Sequence, residues 1–122
     1  MRQKSTANQP DSSVSELLTQ LDQTIEDRRS ADPSESYVAK LCHSGEDEIL
    51  KKVAEEAAEV IIASKSMDPA QLIHEVADVL FHMMVLLRYK GLSFQDIEKE
   101  LENRFGQSGI LEKSLRSTAN SG

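Results

Sequence analysis

The chain has no tryptophan, only three phenylalanines and two tyrosines, and a single cysteine among 122 residues. One cysteine rules out an intrachain disulfide, so the fold must hold by packing alone, and a reducing cytoplasm is the simplest setting. Basic residues are also short: 14 Lys and Arg face 21 Asp and Glu, for a net charge of −7. A surface of that sign argues against non-specific nucleic-acid binding. It does not argue against a phosphorylated small molecule, because bound cations can invert the local charge. No apolar run approaches a membrane span, and the N-terminus lacks the apolar centre of a signal peptide. No segment alternates like a strand.

What is present is helical periodicity. Val14, Leu17, Leu18, Leu21 and Ile25 form one stripe, predicting a helix from about Val14 to Arg29 with Ser12 or Ser13 as cap. A short helix over Ser36–His43 should end at Gly45. A third runs from Glu46 to Lys65, with Ile49, Val53, Ala57, Val60 and Ile61 inward. Asp68-Pro69 is a restart signal for a fourth, which Gly91 should stop after Lys90. Ser93 with Asp96 resembles a capping box for a fifth, with Phe94, Ile97, Leu101 and Phe105 inward. The expected fold is all-α, a bundle of four to five helices over residues 13–116, between disordered tails at 1–12 and 117–122. A core of this size is small for a monomer, so packing as an oligomer is expected.

The fourth helix is apolar almost all round, which predicts a central and largely buried element. One narrow polar stripe interrupts it: Glu75, Asp78 and His82. The third helix carries Glu55, Glu56 and Glu59 in an E-E-x-x-E run. At about 100° per residue, Glu56 lies at the edge of the apolar stripe, with Glu59 and Glu55 further out. If the two helices pair as an antiparallel hairpin, Glu56 and Glu59 can face Glu75 and Asp78. Carboxylates crowded among apolar groups repel and lose hydration, so they need a positive partner. Mg²⁺ or Mn²⁺, both oxygen-seeking, fits that need. Two plainer readings stand beside it: solvated surface acids, and a buried pair of Asp78 with His82 or a lysine. His82 by itself is more naturally a satisfied interior histidine than a ligand.

E-E-x-x-E followed by E-x-x-D resembles the signature of the all-α nucleoside-triphosphate pyrophosphatase superfamily, which includes MazG-type enzymes and dimeric dUTPases. The stretch from Ala31 to Lys65, then HEVADVLFHMMVLL and the GLSFQDIEKELENRFGQSGILEKSLR tail, resembles phosphoribosyl-ATP pyrophosphohydrolase of histidine biosynthesis. Ala54, Glu48 and the Gly109–Lys113 tail depart from that branch's usual pattern. The resemblance implies hydrolysis of phosphoribosyl-ATP to phosphoribosyl-AMP and pyrophosphate by water attacking the α-phosphorus. Glu56, Glu59, Glu75 and Asp78 would hold magnesium, and Glu55 with Glu56 would serve catalysis. Tyr37, Lys40, Lys51, Lys52, Arg104 and Lys113 are the candidate substrate contacts, and a homodimer or higher oligomer is implied. A housecleaning nucleoside-triphosphate pyrophosphatase and a non-catalytic helical interaction module are the competing functions.

Overall fold

The computed structural model describes residues 10–106. Five helices follow one another, with no strand among the described residues: α1 (Pro10–Arg28), α2 (Tyr37–Ser44), α3 (Glu46–Ser66), α4 (Pro69–Tyr89) and α5 (Phe94–Gly106). The local signals act as expected. The Asp68 carboxylate accepts from the backbone N–H groups of Ala70 and Gln71 at 3.1 and 3.4 Å, capping α4 ahead of Pro69. Gly45 takes φ +106°, which a side chain would strain, and its N–H donates to the Leu41 carbonyl. Ser93 N–H donates to Asp96 Oδ2 at 2.9 Å, the reciprocal half of a capping box. α1 begins at Pro10 rather than at Val14, because proline suits the first helical position. Residues 1–9 and 107–122, which hold most of the expected tails, lie outside the described residues.

α3 and α4 form a long antiparallel hairpin closed by Met67, and this pairing dominates the tertiary contacts. The core lies at one end of it. Ile49 from the start of α3 and Met84 and Val85 from the end of α4 meet Val38 and Leu41 of α2 and Ile25 of α1. α1 packs on α4, and α5 packs on α1. Asp22, only 3% exposed, ties these pieces together. Arg88 Nε and Nη2 each donate to its carboxylate at 2.9 Å, and the Phe94 N–H donates to it at 3.2 Å.

Two packing expectations need correction. The single chain does not bury α4: Ile73 is 70% exposed, and Val76, Leu80 and Met83 are also exposed. The reason is that the turn end of the hairpin projects beyond α1, α2 and α5. Likewise Ala57 and Ile61 of α3 are exposed rather than inward, and so are Ile97, Leu101 and Phe105 of α5, since α1 covers only part of that helix. A third correction concerns membranes. At 21 residues, α4 does reach the length and apolarity of a span. Its acidic stripe and its packing against α1, α2 and α3 instead fit a bundle helix.

Candidate metal and nucleotide site

Midway along the hairpin, Glu56 of α3 meets Glu75 and Asp78 of α4, with one carboxylate oxygen from each within 4.8 Å of the others. Glu56 and Asp78 are half-buried and Glu75 is buried. The spacing explains the convergence. Glu75 and Asp78 are three residues apart and so share a helix face, and the antiparallel pairing turns that face toward Glu56. Burial, followed by repulsion from Asp78, raises the Glu56 pKa above the ordinary glutamate range, and Glu75 adds to the shift. Gln71 Nε2 donates to Glu75 at 2.6 Å, and His74 Nε2 lies 3.4 Å from Asp78 Oδ2 on the exposed side. Neither supplies a fixed positive charge among the three acids. Such a set of oxygen donors suits a hard divalent cation.

The other candidates are distributed as follows. Glu59, one turn beyond Glu56, is exposed and stands outside the converging set. Glu55 also stands outside it, with Oε1 3.9 Å from Lys52 Nζ. Tyr37, Lys40 and Lys52 are brought together: with Leu41, Ser44 and Glu48 they line a cleft of about 200 Å³ between α2 and α3. The cleft adjoins the acids: Lys52 stands one turn before Glu56 on α3, Tyr37 reaches α4 through His82 beside Asp78, and Lys52, Glu56 and Asp78 act electrostatically on the Tyr37 hydroxyl. Burial is the larger influence there and raises the phenol's pKa. Lys51 is exposed. Arg104 lies on α5, which packs on α1, and pairs with Glu100 at 3.0 Å instead of reaching the acids. Lys113 lies outside the described residues.

His82 is 5% exposed and is satisfied, as expected of an interior histidine, but not by the Asp78 carboxylate. Its Nδ1 is 2.8 Å from the main-chain oxygen of Asp78, and its Nε2 is 2.8 Å from Tyr37 Oη. Sequence reasoning missed the Tyr37–His82 link because 45 residues separate the two. It also missed Asp22–Arg88. The signal for that pair was available, since an acid in phase with Leu18 and Ile25 sits on the apolar stripe of α1.

A family model described as phosphoribosyl-ATP pyrophosphohydrolase matches residues 18–105. A phosphoribosyl-ATP pyrophosphatase of Neisseria gonorrhoeae is 56% identical over 100 residues, covering 82% of this chain and 94% of the relative. One from Chromobacterium violaceum is 54% identical over 101 residues, covering 83% and 94%. One from Nitrosomonas eutropha is 53% identical over 105 residues, covering 86% and 90%. All three acids of the converging set, and the Tyr37–Lys52 cleft, fall inside the matched region. The chain belongs to the phosphoribosyl-ATP pyrophosphohydrolase family.

Proposed function

We propose that this chain hydrolyses phosphoribosyl-ATP to phosphoribosyl-AMP and pyrophosphate, with Mg²⁺ held by Glu56, Glu75 and Asp78. The observation that supports the metal reading is the convergence of three carboxylates from two helices, with no Lys or Arg paired to them among the described residues. A divalent ion there, Mg²⁺ or Mn²⁺, would supply charge against the triphosphate oxygens and make water more acidic. Glu59, on the next turn from Glu56, would add a further carboxylate to the ligand set if its exposed side chain turned toward the ion. Glu55 is not committed to the cluster, and it orients the attacking water or accepts its proton. Water attacks the α-phosphorus and the β,γ-pyrophosphate departs. Lys40 and Lys52 line the adjoining cleft and offset the charge that builds on the leaving group.

The working unit is a homodimer or higher oligomer. Ala54, Ala57, Ala58, Ile61 and Ile62 repeat at helical spacing along an exposed side of α3. Ile73, Val76, Ala77 and Leu80 form an exposed apolar face on α4. A continuous apolar face of this kind calls for a partner, and a second copy of the hairpin would complete a bundle. With its single cysteine half-buried, the chain suits a reducing cytoplasm.

The deciding experiment is pyrophosphate release from phosphoribosyl-ATP, dUTP and dCTP, each with and without magnesium. Magnesium-dependent release from phosphoribosyl-ATP alone is expected. Rapid cleavage of dUTP or dCTP with inert phosphoribosyl-ATP would make the chain a housecleaning enzyme. No release from any substrate would leave a non-catalytic helical module.

A further inference from the structure

With a neutral imidazole, the hydrogen bonds of His82 fix which way the Tyr37 hydroxyl points its proton. A main-chain carbonyl cannot donate, so the 2.8 Å contact to the Asp78 oxygen requires the proton on His82 Nδ1. In the neutral imidazole, Nε2 is then an acceptor, and the Tyr37 O–H must donate to it across 2.8 Å. The rings are held in that arrangement by packing. His82 meets Tyr37 edge-on at 5.8 Å and Phe81 edge-on at 5.3 Å, while Tyr37 stacks on Phe81 at 6.2 Å. Tyr37 is 48% exposed, so its oxygen remains open to the cleft, but only through acceptor lone pairs. Glu48, on the opposite wall, is acceptor-only when ionised. Lys40 and Lys52 in the same cleft are donors only. The cleft therefore carries two chemistries: cations suited to phosphate oxygens, and acceptors that a phosphate would not satisfy.

We propose that His82 is a positioning residue that locks Tyr37 as a hydrogen-bond acceptor, and that Tyr37, with Glu48, reads a ribose hydroxyl of the substrate. A sugar phosphate is the ligand class that offers hydroxyl donors beside anionic oxygens. Acidic side chains reading ribose hydroxyls are a recurrent solution in nucleotide sites. On this assignment Tyr37 makes no contact with phosphate, and Glu48 is a specificity residue among lysines. The substrate half of the inference rests on the proposed phosphoribosyl-ATP reaction; the hydrogen-bond half does not.

Long-range ¹H–¹⁵N correlation of the His82 ring, at mildly alkaline pH in the intact wild-type protein, tests the lock directly. A proton on Nδ1 is expected; a proton on Nε2 would overturn the proposal, whatever the enzyme does. Kinetics test the reading of ribose. Tyr37→Phe should raise KM about tenfold, the worth of one hydrogen bond, with kcat nearly unchanged. His82→Leu should raise KM by a smaller factor, because the freed hydroxyl can still accept but is no longer held to do so. His82→Gln should stay near wild type, because its amide oxygen still accepts. Of two substrate analogues, each lacking both the 2′- and 3′-hydroxyls of one ribose, one should bind wild type at least about tenfold more weakly and lose nothing further in Tyr37→Phe. A fall in kcat instead of a rise in KM, or equal binding of substrate and both analogues, would refute the ribose contact. A wild-type protein that releases no pyrophosphate would refute the reaction itself and leave the histidine result standing.

Discussion

Asp22 and Glu75 are both nearly excluded from solvent, at 3% and 8% exposure, yet their surroundings are opposite. Asp22 receives two hydrogen bonds from Arg88 and one from the Phe94 N–H, and Arg88 Nη1 also lies 3.6 Å from Glu26. Those bonds hold the guanidinium still more firmly charged than usual. Glu75 has the neutral Gln71 amide and, beyond it, two more acids. The first group is complete within the chain and joins α1, α4 and α5. The second has no ion-paired Lys or Arg among the described residues, and the proposed metal would complete it. Burial of an acid therefore does not by itself mark a functional site; the sign of what surrounds it does.

Removing one acid from each region should give contrasting results. The largest effect is expected from Glu75→Gln or Asp78→Asn, which remove charged oxygens from the proposed metal set. Pyrophosphate release should fall by at least about 100-fold, while circular dichroism shows the helices intact. Either variant retaining near-wild-type turnover would equate the two regions. Next comes Arg88→Met, which strands the buried Asp22 carboxylate. Denaturant melts should show a loss of roughly 3 kcal/mol, mostly recovered when Asp22→Asn is added.

Glu56→Gln should act in the opposite sense to Arg88→Met. The Glu56 pKa is raised in the folded chain, so the native state binds more protons than the unfolded state between the ordinary glutamate pKa and the raised one. Stability accordingly falls as pH rises through that window. Metal-free Glu56→Gln should melt a few degrees above wild type at neutral pH, with the gain disappearing as the solution is acidified below the ordinary glutamate range. Added Mg²⁺ should raise the wild-type melting temperature and leave the variant's nearly unchanged. A variant no more stable than wild type in the absence of metal would remove the claim of uncompensated charge. The last effect expected is on assembly, from Ile73→Glu, whose side chain lies on the exposed apolar face of α4 and outside the converging acids. Light scattering should show a shift toward monomer, because the charge lands on the apolar face.

The same contrast explains what was legible in the sequence. Helix ends at Gly45, Asp68-Pro69, Ser93 and Gly91 depend on residues within one turn, and the chain folds as those residues dictate. The Glu75–Asp78 face was legible because i, i+3 spacing is enough to align the pair. Periodicity names an apolar face but not what covers it, which is why Ile73, Leu101 and Phe105 were expected to be buried. Asp22–Arg88 and Tyr37–His82 join positions 66 and 45 residues apart, and only the tertiary packing brings them together.

The most direct test of the central claim is a crystal of the protein grown with Mn²⁺, read by the ion's anomalous scattering. The account predicts a peak within coordination distance, about 2.0–2.2 Å, of carboxylate oxygens from Glu56, Glu75 and Asp78. A crystal rich in Mn²⁺ with no peak between α3 and α4, and with these three side chains turned apart, would contradict it.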